Sequence, residues 1–167
     1  MNTTTALFWT LPIAAAAHVF EEFAFPGGFK EWYARYRPET ATSFTPVFAI
    51  GINTLLLVLC SIPLLGGPTP RSVALWLTLA AVLVGNTIFH ARATLKMGEY
   101  SPGLVTALLL YLPLGIIGFT HFLRAGYASA GTAISAALIG GAYNVFAANN
   151  HRRRARRHAE QTIEPGS

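Results

Sequence analysis

One imidazole and two carboxyls, His18, Glu21 and Glu22, stand in the run AAAAHVFEEFAF, inside a stretch (residues 5–25) that is otherwise almost wholly apolar. An Asp, Lys or Arg at the centre of a membrane-spanning helix costs roughly 2.5–3.5 kcal/mol, and a buried Glu costs a comparable amount. Three such groups within five positions need partners inside the protein: a metal, a cation, a shared proton or a polar substrate. At about 100° per residue, Glu21 falls about 60° to one side of His18 and Glu22 about 40° to the other. All three therefore project into one sector of the helix. His18 and Glu22, at i and i+4, can grip one ion from a single turn.

The rest of the chain reads as the scaffold for such a site. Of its 167 residues, 53% are hydrophobic and 11% charged, with mean hydropathy +0.45. Soluble domains carry about 25% charged residues, so the composition points to an integral membrane protein and away from a globular one. Spans need about 20 apolar residues, and five segments qualify: 5–25, 43–65, 72–91, 102–123 and 129–148. Breaks at Pro26-Gly27-Gly28, Gly66-Gly67-Pro68-Thr69-Pro70, Lys96-Met97-Gly98 and Arg124-Ala125-Gly126 separate them. The expected fold is all-α, a bundle of about five transmembrane helices forming one domain over residues 1–150. A basic tail, 151–167, is expected to be disordered. In FKEWYARYR, Phe29, Trp32, Tyr33 and Tyr36 fall on one face, which predicts a short interfacial helix. It serves as an aromatic anchor or, following the acidic motif directly, as a lid. The single Cys60 excludes an intrachain disulfide. The start of the chain is a poor signal peptide, because no basic residue precedes its apolar stretch.

Charge sets the expected orientation. With the N-terminus outside, Lys30, Arg35, Arg37, Arg92, Lys96 and the five arginines between Arg152 and Arg157 are cytoplasmic, ten of the 12 basic residues; Arg71 and Arg124 are outside. That is a positive-inside pattern, and a bacterial plasma membrane is the expected location, with the C-terminus cytoplasmic. The run RRRARR is then a topology determinant that attracts anionic lipid, with no nucleic-acid role. The first, third and fifth spans run inward. His18, Glu21 and Glu22 lie within about 10 Å of the cytoplasmic end of the first, at 1.5 Å per residue. Asn86 and His90 share a face of the third, Asn144 is near the end of the fifth, and Tyr100 begins the fourth. One polar layer collects them, with His121 at the opposite surface. Asn53 in the second span is expected to act as interhelical glue. On the fifth helix, Ser129, Ala133, Ala137 and Gly141 form one small-residue stripe, and Ala136, Gly140 and Asn144 its neighbour, both suited to close helix packing.

His18-Val-Phe-Glu21-Glu22 resembles the signature of the HXXEE family of small multi-helix membrane proteins. Asn86-Thr-Ile-Phe-His90 is similar to the NxxxH element associated with it, and Tyr100-Ser101-Pro102-Gly103-Leu104 to the family's Pro–Gly entry into a late helix. The resemblance runs from the first helix into the fourth. It implies a polar intramembrane site and names no substrate.

The leading chemical reading is a divalent metal, Zn or Fe, held by His18, Glu22 and His90. Two His and one carboxylate suit catalytic Zn²⁺ or non-haem Fe(II) with an open position. Glu21 would serve as a fourth ligand or as a base on bound water, and Asn86 would orient His90 or a substrate. Tyr100 and Asn144 complete the expected catalytic set. The motif occurs once, so the site is mononuclear or takes a second ligand set from another subunit. No organic cofactor is implied. The expected function is a small membrane enzyme, a hydrolase or oxidoreductase, acting on a lipophilic substrate and surrounded by lipid. Three alternatives stand beside it: a metal-free acid–base cyclase or isomerase in which Glu21 and Glu22 share a proton, a proton- or cation-coupled transport or binding protein, and a polar network that only holds the bundle together.

Overall fold

The structure is a computed structural model that describes residues 2–41 and 43–163, with side chains as far as Arg157. All regular structure among these residues is helical: α1 (Thr3–Phe23), α2 (Phe29–Tyr36), α3 (Pro38–Ala41), α4 (Pro46–Gly66), α5 (Pro70–Met97), α6 (Leu104–Thr106), a π-helical segment (Ala107–Tyr111), α7 (Leu112–Arg124) and α8 (Ala130–Ile163). The π segment joins α6 to α7, so Leu104–Arg124 is one continuous span. Five helices are thus long and apolar enough to cross a membrane, the all-α bundle the composition predicts.

Helix starts follow local chemistry. Thr45 and Thr69 accept the backbone N–H groups of Phe48 and Ser72, and Pro46 and Pro70 occupy the first turns of α4 and α5. Proline there sacrifices an N–H that has no helical partner anyway. Gly98, at φ 65°, ends α5 in the left-handed conformation that L side chains resist.

The core forms around α5. Trp76, Leu77 and Leu83 are buried against Leu11 and Ala15 of α1 and Tyr111 and Phe122 of the fourth span. The Trp76 indole N–H donates to the Leu7 carbonyl (2.9 Å), and its ring lies over Gly118, where a Cβ has no room. On its other side α5 meets α8. Ala133, Ala136 and Gly140 are buried small residues in the first half of α8, and a Cβ on Gly140 would lie 2.6 Å from both Ala81 Cβ and the Thr78 carbonyl. Of the two stripes expected to pack, the one through Ala136, Gly140 and Asn144 does so. Ala137 is exposed and Gly141 has open space beside it.

Two expectations need correcting. The chain predicts a disordered tail from residue 151, yet α8 continues to Ile163; residues 164–167 lie outside the described residues. Arg and Ala are strong helix formers, and the extension has tertiary contacts. Arg154 donates to the Ser43 carbonyl (3.3 Å) and its guanidinium lies 3.9 Å from the Phe48 ring centroid. Asn53, expected to tie helices together, bonds instead to the Ala49 carbonyl of its own helix (2.9 Å). The amphipathic helix forms where expected, as α2. Its Phe29, Trp32 and Tyr33 are buried on protein, against Phe44, Ala49 and Ala93. Glu99 pairs with Arg35 at 3.0 Å, and with both side chains about half exposed the pair contributes little.

Candidate metal centre

Three elements build the centre. From α1, one turn supplies His18 and Glu22; from α5, another supplies Asn86 and His90; the turn into the fourth span lies across them. A Glu22 oxygen is 3.5 Å from His18 Nε2 and 3.3 Å from His90 Nε2. One ligand atom from each of the three side chains lies within 4.8 Å of the others, so the group could hold a metal ion. The imidazoles meet edge to face, centroids 5.0 Å apart. His18 is 1% exposed, His90 0% and Glu22 6%. A carboxylate so buried demands a cation or hydrogen-bond donors.

Hydroxyls fix which nitrogen of each ring faces the centre. His18 Nδ1 meets Thr106 Oγ1 at 2.9 Å, and that hydroxyl donates to the Gly103 carbonyl (3.3 Å). With that hydroxyl committed to the carbonyl, Thr106 accepts from the His18 tautomer protonated at Nδ1, and in that tautomer Nε2 is the unprotonated nitrogen on the side of Glu22. The Asn86 amide nitrogen lies 2.9 Å from His18 Nε2 and 3.4 Å from His90 Nε2. His90 Nδ1 meets the Ser101 hydroxyl at 2.8 Å. Ligating histidines characteristically have their second nitrogen bound in this way.

Gly103 brings the turn close enough to do this. Its φ is 99°, and a Cβ there would lie 2.7 Å from Cε1 of both His18 and His90. Only glycine allows the backbone to rest on both rings.

Glu21 does not join the group. Its carboxylate accepts from the backbone N–H groups of Val105 (3.0 Å) and Thr106 (2.6 Å) and from the Tyr100 hydroxyl. These are the first-turn donors of α6, whose N-cap, Gly103, has no side chain to satisfy them. A carboxylate from α1 caps the fourth span in its place. Burial first, and then the Glu21 carboxylate, pushes the Tyr100 phenol above its ordinary pKa, so Tyr100 remains a donor. Adjacent in sequence, the two glutamates serve different neighbours: Glu22 the imidazoles, Glu21 the turn.

Asn144 is also apart. It donates to the carbonyls of Gly140 (3.0 Å) and Val82 (3.3 Å), and its amide faces Gly85. His121 lies at the far end of the bundle, where Nε2 meets the Thr4 hydroxyl (2.9 Å). Four residues at or beside the centre have roles the sequence does not announce: Ser101, Gly103, Thr106 and Tyr111. Ser101 and Gly103 lie in the YSPGL turn, the one available signal. Tyr111 closes the π segment with its ring 4.6 Å from that of His18. Thr87 on α5 donates to the Ala107 carbonyl (3.1 Å) where that segment begins.

Beside the centre is a cavity of about 420 Å³, whose wall includes Glu22 and Asn86. Asn53 and Asn144 line it too, but half of its lining residues are Leu, Val, Ile or Phe.

No curated protein and no solved structure matches the chain. Residues 9–117, which hold His18, Glu21, Glu22, Asn86, His90 and the whole Ser101–Thr106 turn, match the family described as "Protein of unknown function with HXXEE motif", and the chain belongs to the HXXEE family.

Proposed function

We propose that this chain is a metal-dependent membrane enzyme that acts on a lipophilic substrate at the His18–Glu22–His90 centre. One observation carries the reading: two imidazole Nε2 atoms and a carboxylate oxygen converge in a buried site whose ring orientations are fixed from behind by Ser101 and Thr106. A network serving only to hold helices together has no need of that second layer. Three ligands leave coordination positions for water or substrate, as in catalytic Zn²⁺ or Fe(II) sites. A bound ion would supply Lewis-acid or redox chemistry there.

The protein's own contribution is positioning and exclusion. Asn86 holds its NH₂ group at the edge of the centre, where a substrate oxygen coming from the cavity would meet it. Glu21 and Tyr100 lock the turn that orients both imidazoles. The apolar wall admits a lipophilic molecule and disfavours bulk water. Glu21, with both oxygens bonded, serves this reading as a positioning group and not as the base. The exposed apolar side chains on the outer faces of the long helices, among them Leu109, Ile117, Ile134 and Leu138, support a lipid surround. On this reading the end of the bundle bearing Arg92, Lys96 and Arg152 faces the cytoplasm, with the centre in that leaflet.

Elemental analysis of detergent-purified, full-length protein tests the reading. The wild type is expected to carry one Zn or Fe per chain, lost in the His18→Ala/Glu22→Ala double variant and in His90→Gln. Melting curves recorded alongside separate loss of metal from loss of fold. A wild type that holds no metal even after reconstitution overturns the reading.

A further inference from the structure

The charged side chains of the cavity wall, Glu22 and Arg37, gather at one end. Along α5 its wall runs from Thr78 to Phe89, eleven steps or roughly 16 Å at 1.5 Å rise. Leu55, Leu56, Leu59 and Leu79 surround the Thr78 end, and Leu56 and Leu59 pack on the central core. At the Phe89 end the wall carries Glu22, Asn86, Arg37 and His151.

Two of these groups lack a partner. Arg37 has no carboxylate within ion-pair distance among the described residues; its guanidinium lies on the rings of Tyr36 (5.3 Å) and Phe89 (5.7 Å). His151 Nδ1 is buried with no hydrogen-bond partner among the described residues, its ring 5.0 Å from that of Phe48. Glu22 is the only carboxylate on the described wall, and it already faces two imidazoles. An unpaired guanidinium and an orphaned imidazole nitrogen at one end, with leucine at the other, complement a molecule that is anionic at one end and hydrocarbon at the other. At about 420 Å³ the cavity is near the lower limit of ligand pockets, which suits one chain and not a two-chain lipid.

We infer that the cavity binds a single-chain amphiphile with an anionic head, a carboxylate or a phosphate monoester. The head is held by Arg37 and His151 at the same end as the metal centre, and the tail runs among the leucines. This rests on the metal-enzyme reading and names its substrate class. Held this way, the atoms next to the head group are the ones presented to Glu22 and Asn86.

The test is equilibrium binding of radiolabelled dodecanoate to zinc-loaded, full-length protein in maltoside micelles, with zinc content measured on the same samples. Saturable binding at one site per chain is expected. Dodecyl phosphate should compete, while dodecanol and dodecyltrimethylammonium at the same concentration should not. Arg37→Gln should weaken binding about tenfold, the scale of one lost charge-assisted hydrogen bond, and Arg37→Lys should restore most of it. Leu59→Trp, which fills the apolar end, should abolish binding. All three variants should retain zinc. Equal competition by dodecanol, or unchanged affinity in Arg37→Gln, overturns the anionic-head inference. The two readings fail separately: zinc retained without dodecanoate binding refutes the substrate class alone, and dodecanoate bound by protein that takes up no zinc refutes the metal centre alone.

Discussion

Replacing Gly103 by Ala isolates the contact between the turn and the two imidazoles. The new Cβ would lie 2.7 Å from Cε1 of both rings and 3.0 Å from His90 Nε2. Carbon atoms pack comfortably at about 3.5–4.0 Å, so ring or turn must retreat by about 0.8–1.3 Å. Metal–ligand distances tolerate only about 0.2 Å. A shift of that size therefore removes a ligand or detaches a hydroxyl from its ring, and metal affinity should fall by about 10–100-fold, the scale on which disturbed outer-shell partners act. Alanine at φ 99° adds backbone strain of about 1–3 kcal/mol, which alone lowers stability. Gly98→Ala controls for that term. Gly98 also has a left-handed φ, 65°, but nothing lies within 4 Å of its Cβ position. Chelator-competition titration with Zn²⁺, alongside thermal melting, should show both variants destabilised and only Gly103→Ala deficient in metal. Wild-type affinity in Gly103→Ala, or equal metal loss in both, would refute the reasoning.

Three further outcomes follow from the same geometry. Thr106→Val removes the hydroxyl that accepts from His18 Nδ1 and should cost about 10–100-fold in zinc affinity, whereas Thr106→Ser should stay near wild type in the same titration. Glu21→Ala leaves two first-turn N–H groups of the fourth span without their acceptor. It should lower stability by about 1–3 kcal/mol in a denaturation series and weaken zinc binding secondarily, because the turn loosens while the ligands remain. Gly140→Ala forces a methyl against Ala81 and the Thr78 carbonyl and should cost about 1–3 kcal/mol, while Gly141→Ala, facing open space, should leave the melting temperature unchanged.

The convergence of His18, Glu22 and His90, a group that could hold a metal ion, was legible because one spacing, i to i+4, recurs in two helices: His18 with Glu22 and Asn86 with His90. Depth along antiparallel spans then placed both pairs in one layer. Direction around a helix was less accessible. Asn144 has the right depth but turns toward Val82 and Gly85, because the packing of α8 on α5 is set by Gly140 and Ala136 and not by its polar residue. The glutamates could be assigned to one sector of α1, yet which neighbour each would meet depends on where the turn before the fourth span lies. That turn is held by hydroxyls and backbone N–H groups, which leave no pattern in a sequence beyond the YSPGL run itself. The π segment is equally silent, although it places Tyr111 on His18. The basic end of α8 shows the opposite failure: charge density suggested disorder, while the helix propensity of Ala and Arg, and a carbonyl left open at Ser43, favoured continuation.

The capping of the fourth span by a carboxylate from the first has a consequence for how the molecule comes into being. The bond between His18 and Thr106 joins residues 88 apart, and that between Glu21 and Thr106 joins residues 85 apart. No shorter piece of the chain contains a finished centre. A nascent chain halted after its third span would own His18, Glu22 and His90 yet lack the hydroxyls that aim the two rings, and the leading turn of its fourth span would emerge with the two N–H donors that Glu21 satisfies in the finished fold. Arrival of that span completes its own cap and the geometry of the His18–Glu22–His90 group together, so under the proposed metal-enzyme reading competence to take up metal would be acquired in one late step of assembly.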